Sequence, residues 1–169
     1  DNADSTAGLS VDNCVTRSVR DCAAMLDLSS TLDFSDPYFA PPQQGSYLES
    51  IKAAPRKLKI AVSLTNYRGA PFHPDVAEAV QKAVKLCEQL GHTVEEAKPV
   101  VNSDEMTTAF MVLWATASAF GIETLTQLTG QKPSLDNLEG LTLGLYERGK
   151  SIPATKQIWA QQTMFRVAR

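Results

Sequence analysis

The sequence predicts an α/β protein, in which one strand-helix-strand unit is followed by a layer of long helices. Apolar residues alternate at every second position around residue 60 of the 169-residue chain, as in a strand with one buried face. Apolar residues at helical spacing and then a second short strand pattern follow. A strand-helix-strand order within about forty residues is typical of a right-handed crossover between parallel strands. Beyond Pro99 the apolar residues recur at helical spacing to the end of the sequence.

A short amphipathic helix is predicted near the beginning of the sequence. Ser18 has the position of an N-cap, with Asp21 three residues later in place of the Glu or Gln of a capping box. Residues 29–45 hold a high density of turn-forming residues, including Asp36-Pro37, so we expect a surface loop there. Because Ser46-x-x-Glu49 repeats the capping-box spacing, a second helix should begin at this point, and Pro55 should end it.

The strand-helix-strand unit begins at residue 58. Its first strand is predicted from the alternation of Leu58, Ile60, Val62 and Leu64. Pro74 suits the first position of the following helix, where its missing N–H costs no hydrogen bond, and Gly91 suits the position just past the helix end. Residues 92–97 are then predicted to form the second strand.

Three helices are predicted beyond residue 100. The first should be capped at Ser103 and end at Gly130, the second should run from Ser134 to Arg148, and the third should begin near Pro153. Large aromatic residues at helical spacing usually pack in a core, so the pattern alone favours a core role for Phe110, Trp114, Phe120 and Trp159.

The composition narrows the classes of partner. Hydrophobic residues make up 43% and charged residues 21% of the sequence, and the net charge is −3. This balance is typical of a soluble globular protein and gives little electrostatic reason to expect nucleic acid or an anionic membrane as a partner. The three cysteines have neither CxxC spacing nor clustered histidines. We therefore expect free thiols, no metal site and a reducing, cytoplasmic compartment.

Motifs that carry catalysis are scarce in the sequence. GxSxG, GxGxxG, P-loop and HExxH patterns do not occur. The pair Ser29-Ser30 lacks flanking glycines and is interpreted as the end of a helix. His73 and His92 lie at opposite ends of one predicted helix, some 25 Å apart at about 1.5 Å per residue, so they cannot share a site.

The arginines near the first helix and the two acidic pairs are assigned structural roles rather than catalytic or ligand-binding roles. Arg17 and Arg20 are interpreted as ion-pair partners at the entrance to the first helix, although anion binding is the alternative. Paired carboxylates could serve acid/base catalysis or bind a hard metal ion. Glu95-Glu96 is interpreted instead as part of a strand surface, and Asp104-Glu105 as acidic residues in the first turn of a helix, where the helix dipole favours them.

Five pieces of the sequence, taken in order, resemble one enzyme family. They are TRSVRD at 16–21, DPY and APP at 36–42, LKIAVS at 58–63, HPDV at 73–76 and LGHTVE at 90–95. From residue 8 to about 99 the chain resembles the amidase signature family of Ser-Ser-Lys amide hydrolases. The form with DPY and APP is similar to the branch that includes aliphatic amidases and 6-aminohexanoate-cyclic-dimer hydrolase.

The resemblance implies that residues 1–169 are one partial domain of a larger amidase. Residues 8–100 would contribute to a central mixed sheet, and residues 101–169 would form a variable helical layer over the substrate entrance. The family builds its nucleophile from a Gly-Gly-Ser-Ser-Gly-Gly run that this sequence does not contain, so the catalytic Ser, Ser and Lys are expected outside the segment, which alone should be inactive. No cofactor is implied. Phe110, Trp114 and Ser118 are expected to face the acyl pocket for a small-molecule amide.

Two other functions stay open from the sequence. One is a transamidase of the glutamyl-tRNA amidotransferase A type, and the other is a non-catalytic helical binding or regulatory module. If the segment belongs to a larger sheet, it should expose a strand edge and apolar helix faces. Homodimerisation or other self-association is therefore expected.

Overall fold

The computed structural model describes residues 8–11, 13–30 and 41–169, which belong to two units, Asp1–Lys57 and Leu58–Arg169. The middle of the predicted 29–45 loop, with Asp36-Pro37-Tyr38, lies outside the described residues.

Both helices predicted for the first unit are present. Helix α1 is Val19–Ser29, and the hydroxyl of its N-cap Ser18 accepts a hydrogen bond from the Asp21 N–H. The interpretation of Ser29-Ser30 as a helix end is confirmed, because Ser30 is the C-cap and its hydroxyl donates to the Leu26 carbonyl at 2.6 Å. Helix α2 is the single turn Tyr47–Ser50. It ends before Pro55, so that proline does not terminate it as predicted.

One carboxylate joins these two helices. Asp27, near the end of α1, accepts hydrogen bonds from the Gln43 amide at 2.6 Å and the Ser46 hydroxyl at 2.5 Å. It also accepts from the backbone N–H groups of Tyr47 at 2.7 Å and Leu48 at 3.0 Å, which begin α2. The hydrogen bond from Ser46, followed by those from the backbone, lowers the pKa of Asp27 to about 2. Asp27 therefore holds the N-terminus of α2 against the end of α1.

The second unit begins with the predicted strand-helix-strand. Strand β1 is Lys59–Val62, helix α3 is Pro74–Gln89 and strand β2 is Thr93–Glu96. The strands are parallel, and their register runs from Lys59 opposite Thr93 to Val62 opposite Glu96. Gly91 follows α3 with a φ of 88°, a conformation that glycine adopts without steric cost. Among the described residues, none of those in α3 is buried, although one side of this helix is apolar.

Three helices complete the second unit. Helix α4 is Ser103–Thr129, α5 is Gly140–Lys150 and α6 is Ala154–Val167, and α4 packs against both of the others. Their shared core consists mainly of small and aliphatic residues, namely Ala109, Val112, Leu113, Ala115, Ala119, Ile122, Leu145, Gly149, Ala160 and Thr163.

A glycine sets the spacing between α4 and α5. A Cβ atom added at Gly149 would collide with the Ala115 carbonyl oxygen and lie 2.7 Å from the Ala119 Cβ. The two helices therefore approach so closely that only glycine fits at this position of α5. Small residues on α4 face the contact for the same reason.

Two predicted helix starts are wrong. Asn102, not Ser103, caps α4, because the Asn102 Oδ1 accepts from the Glu105 N–H at 3.2 Å while the Ser103 hydroxyl donates to the Tyr67 carbonyl. Helix α5 begins at Gly140 rather than at Ser134. The side chain of Asn137 accepts from the Ser134 N–H at 2.9 Å, which closes a turn where the sequence pattern indicated helix.

Helix α4 also has the length and apolarity of a membrane span among the described residues. This is weak evidence for a membrane, because the core helix of a soluble protein passes the same test.

Candidate functional site

The three residues expected to contact substrate lie along one side of α4. Phe110, Trp114 and Ser118 follow one another at four-residue intervals, which places them on neighbouring turns of the same helix surface. Most of the residues that α4 buries lie on the opposite surface, toward α5 and α6. We call the exposed surface the outer face of α4.

The core role predicted for the aromatic residues is wrong for three of them. Phe110 and Trp114 are each 40% exposed, and Phe120 is 61% exposed. The side of α4 that faces α5 carries alanines because the helices approach too closely for large rings there. Trp159, by contrast, is half-buried, and the Lys156 ammonium lies 3.6 Å from its ring centroid.

The outer face has a defined chemical character. The rings of Phe110 and Trp114 are in contact, with centroids 5.7 Å apart and planes tilted by 47°. The Ser118 hydroxyl donates to the Trp114 carbonyl at 2.8 Å. Because its proton is used in that bond, the Ser118 oxygen can still accept a hydrogen bond, for example from an amide N–H. The structure thus places an apolar ring surface beside a hydrogen-bond acceptor.

Three of the four carboxylates in the acidic pairs form ion pairs with separate cations, which supports their structural interpretation. The pairs and their N···O distances are Lys59 to Glu95 at 2.9 Å, Arg68 to Asp104 at 2.8 Å and Arg166 to Glu105 at 2.5 Å.

Arg20 behaves as predicted at the entrance to α1. Its Nε lies 3.3 Å from the Asp21 carboxylate. The hydrogen bond with the Ser18 hydroxyl, and then the one from Arg20, lower the pKa of Asp21. Arg20 therefore pairs with a neighbouring carboxylate.

The two histidines hold backbone groups at opposite ends of α3. The Nδ1 atom of His73 accepts from the Asp75 N–H at 3.3 Å, in the first turn of the helix. The Nδ1 atom of His92 accepts from the Leu58 N–H at 3.2 Å, just before β1. Their separation along α3 agrees with the prediction that they do not form one site.

The outer face extends beyond Phe110, Trp114 and Ser118, the three residues expected from the sequence. Leu125 and Leu128 continue it toward the end of α4, and they are 56% and 77% exposed. The sequence carries a trace of this arrangement. Large apolar residues occur on more than one side of α4, and alanines recur on a different side of the helix. The spacing of small residues is a partial signal, and it does not by itself decide which side packs closely.

Comparison with known proteins identifies the family. The sequence profile of the Amidase family matches residues 3–151. The chain belongs to the Amidase family. It is 28% identical over 153 residues to a 6-aminohexanoate-cyclic-dimer hydrolase of Pseudomonas sp. (strain NK87), covering 89% of this chain and 31% of the relative. The A-type subunit of a glutamyl-tRNA(Gln) amidotransferase of Macrococcus caseolyticus is 31% identical over 105 residues, covering 62% of this chain and 22% of the relative.

The fold agrees with this membership. The chain superposes on a solved structure of 6-aminohexanoate cyclic dimer hydrolase with a TM-score of 0.77 and 26% identity, over 90% of this chain and 32% of the solved chain. The predicted α/β fold of an amidase-signature segment is therefore confirmed. The chain spans about a third of the length of the hydrolases that it matches.

Proposed function

We propose that this chain is part of an amidase-signature hydrolase that cleaves carboxylic amides through a serine acyl-enzyme, with water as the second substrate. The observation that carries the proposal is the match to a 6-aminohexanoate-cyclic-dimer hydrolase over 89% of the chain. The nucleophilic serine, its base and the oxyanion donors are assigned to residues outside this segment. No cofactor is part of the proposal, and a cytoplasmic location without a membrane or nucleic-acid partner remains our expectation.

In this proposal the outer face of α4 forms one wall of the acyl pocket. Phe110 and Trp114 offer a ring surface for the apolar part of the acyl group, which would be removed from water on binding. Ser118 offers its oxygen to an N–H of the substrate. Its hydroxyl proton is directed to the Trp114 carbonyl, so a bound carbonyl group would not find a donor there.

The test is the substitution Trp114→Ala in an active amidase that contains this segment. We expect kcat/KM to fall at least tenfold for amides with large apolar acyl groups and to change little for acetamide, because only the larger groups reach the ring. Phe120→Ala is the matched control, since Phe120 is an exposed aromatic residue of the same helix at a different angle. If kcat/KM stays unchanged across several amides, Trp114 does not line the pocket.

The second candidate is a glutamyl-tRNA amidotransferase A-type transamidase, which the similarity to the Macrococcus protein favours. Assays of the same active enzyme separate the two. Release of ammonia from glutamine, with transfer to an acceptor, would support the transamidase. Hydrolysis of simple linear amides without an acceptor would support the hydrolase. The segment alone should do neither.

A non-catalytic binding module makes a different prediction. The complete protein that contains this segment would then hydrolyse no linear amide and release no ammonia from glutamine. Hydrolysis of a linear amide by the complete protein would exclude this alternative.

A further inference from the structure

Another aromatic residue lies next to the outer face of α4, in the loop that follows β1. We call residues 65–71 the Tyr67 loop. Its backbone is attached to the start of α4, because the Ser103 hydroxyl donates to the Tyr67 carbonyl at 2.7 Å. The Arg68 guanidinium also forms an ion pair with the Asp104 carboxylate, at 2.8 Å. Two consecutive loop residues are therefore bound to the first turn of α4.

The point of attachment lies on the outer face. Ser103, Phe110 and Trp114 have the spacing i, i+7 and i+11, which places them in one row along the helix. At about 1.5 Å per residue, Ser103 lies about 10 Å from Phe110 along the helix axis. Between them in this row is the exposed Thr107, whose hydroxyl donates to the Ser103 carbonyl at 2.7 Å. Within the row, no large side chain separates the Tyr67 loop from the ring of Phe110.

The Tyr67 loop holds its conformation through its own hydrogen bonds. The Asn66 Oδ1 accepts from the N–H groups of Arg68 at 2.9 Å and Ala70 at 3.0 Å. Gly69 has a φ of 83°, which suits glycine, and its N–H donates to the Asn66 carbonyl at 2.9 Å. The Tyr67 residue is nevertheless 56% exposed. Because the loop is already ordered, contact with a ligand would cost little further conformational entropy.

The position of the loop in the sheet also suits a ligand contact. The loop follows the carboxyl end of β1, which pairs with β2 in parallel. In open α/β sheets, ligands bind outside the carboxyl ends of the strands. The Tyr67 loop therefore joins this edge of the sheet to the outer face of α4.

From this geometry we infer that Tyr67 is a specificity-determining residue of the proposed hydrolase, at the end of the acyl pocket remote from Ser118. Its ring contacts the distal part of long linear acyl groups, and the bonds of its loop to α4 position it. The inference rests on the proposed function, in which the substrate N–H meets Ser118 and the acyl chain runs past Trp114 and Phe110. From Ser118 to Ser103 the helix covers about 22 Å, so short acyl groups end before they reach Tyr67.

The test measures kcat/KM of the complete protein that contains this segment, with acetamide, hexanamide and dodecanamide as substrates. Extended dodecanamide and the tyrosine side chain together span the distance from Ser118 to the loop, whereas hexanamide is too short. We expect Tyr67→Ala to lower kcat/KM roughly fivefold or more for dodecanamide, because the apolar contact with the ring is lost. For the two shorter amides the change should be less than about twofold.

Tyr67→Phe is the matched control, because it keeps the ring and removes only the hydroxyl. It should change kcat/KM less than about twofold for every amide. Ser103→Ala releases the Tyr67 carbonyl and should show the same dependence on chain length as Tyr67→Ala, with a smaller loss. Ser103→Thr retains the hydroxyl and should not show it. Circular dichroism of all variants should equal that of the unmodified protein.

Equal loss of kcat/KM for all three amides in Tyr67→Ala, or no loss for dodecanamide, would overturn the inference. The same loss in Tyr67→Phe as in Tyr67→Ala would show that the hydroxyl, not the ring, makes the contact, which also contradicts it.

Binding of dodecanoate separates the inference from the proposed function. Dodecanoate is the acid that hydrolysis of dodecanamide releases, and quenching of tryptophan fluorescence measures its binding without any reaction. Its Kd should rise roughly fivefold or more in Tyr67→Ala, while that of hexanoate stays unchanged. If this difference is found and no amide is hydrolysed, the acyl contact of Tyr67 holds and the proposed function fails. If the Kd of dodecanoate does not change while the amides are hydrolysed, the proposed function holds and the inference is wrong.

Discussion

The α1–α2 junction and the three-helix layer are held together by different forces. At the junction, one carboxylate, Asp27, accepts four hydrogen bonds from the segment that begins α2. In the layer, α4 and α5 meet through small apolar residues at a distance that excludes even one methyl group at Gly149. The junction should therefore respond to protonation, whereas the layer should respond to side-chain volume.

The largest effect should come from Gly149→Ala. The added Cβ meets backbone atoms of Ala115, which cannot move as a flexible side chain would. We expect the free energy of unfolding to fall by about 3 kcal/mol or more, at the upper end of the cost of overpacking. Urea denaturation followed by circular dichroism measures the change.

Gly144→Ala is the control on the same helix. Within the described chain, a Cβ at Gly144 meets no atom within 4 Å, so the substitution should stabilise α5 by about 0.5–1 kcal/mol through the lower helix propensity of glycine. Equal effects of the two substitutions would show that α4 and α5 do not pack as closely as described.

A second prediction compares α4, in the three-helix layer, with α3, in the strand-helix-strand part of the Leu58–Arg169 unit. Leu113→Ala removes a side chain that is 3% exposed and should cost about 2–3 kcal/mol, since it leaves a cavity in the layer. Leu86→Ala on α3 removes one that is 56% exposed and should change stability by less than about 0.5 kcal/mol. Denaturation midpoints of the two variants in urea test this contrast, and similar midpoints would contradict it.

The junction should lose stability in acid. Because the folded pKa of Asp27, about 2, lies below its ordinary value of 3.8, the carboxylate contributes stability above pH 3.8. That contribution is lost as the pH falls from 3.8 toward 2. The protection of the Tyr47 and Leu48 amides against hydrogen exchange, measured relative to the intrinsic exchange rate at each pH, should fall over this range.

Asp27→Asn should remove the pH dependence of this protection and leave the two amides weakly protected at neutral pH. The Gly149 region should keep its own exchange rates in this variant. A carboxylate titration of Asp27 by NMR with a midpoint near 4 would contradict the assignment.

The smallest effect is expected for the ion pair between α4 and α6. Arg166 and Glu105 have side chains that are 63% and 31% exposed, so water and salt screen the pair. Arg166→Met should cost about 0.5 kcal/mol, and the cost should fall further in about 1 M salt. A double-mutant cycle with Glu105→Gln measures the coupling, and a coupling above about 2 kcal/mol would show that the pair is effectively buried.

The helix and strand pattern of the fold could be predicted from local sequence signals. The period-two alternation around residue 60, Pro74 and Gly91 predicted the strand-helix-strand unit, because these signals act through backbone geometry within a few residues. The starts of α4 and α5 could not be placed in this way. Side-chain hydrogen bonds from Asn102, Ser103 and Asn137 decide them, and more than one residue nearby could have made a cap.

The candidate site was predicted only in part. The four-residue spacing of Phe110, Trp114 and Ser118 placed them on one helix surface, but the same spacing also fits a core, and the pattern favoured the core. Only the close approach of α5 at Gly149 shows that small residues occupy the packed side and that the rings face outward.

The sequence by itself therefore determined the element order, the parallel strand-helix-strand unit and the family, because capping, periodicity and ordered motifs are local and additive. Tertiary structure alone decided which face of α4 is buried, and with it the position of the aromatic pair. Within the Asp1–Lys57 unit, it also decided the Asp27 junction. These depend on distances between residues far apart in the chain, which no local pattern encodes.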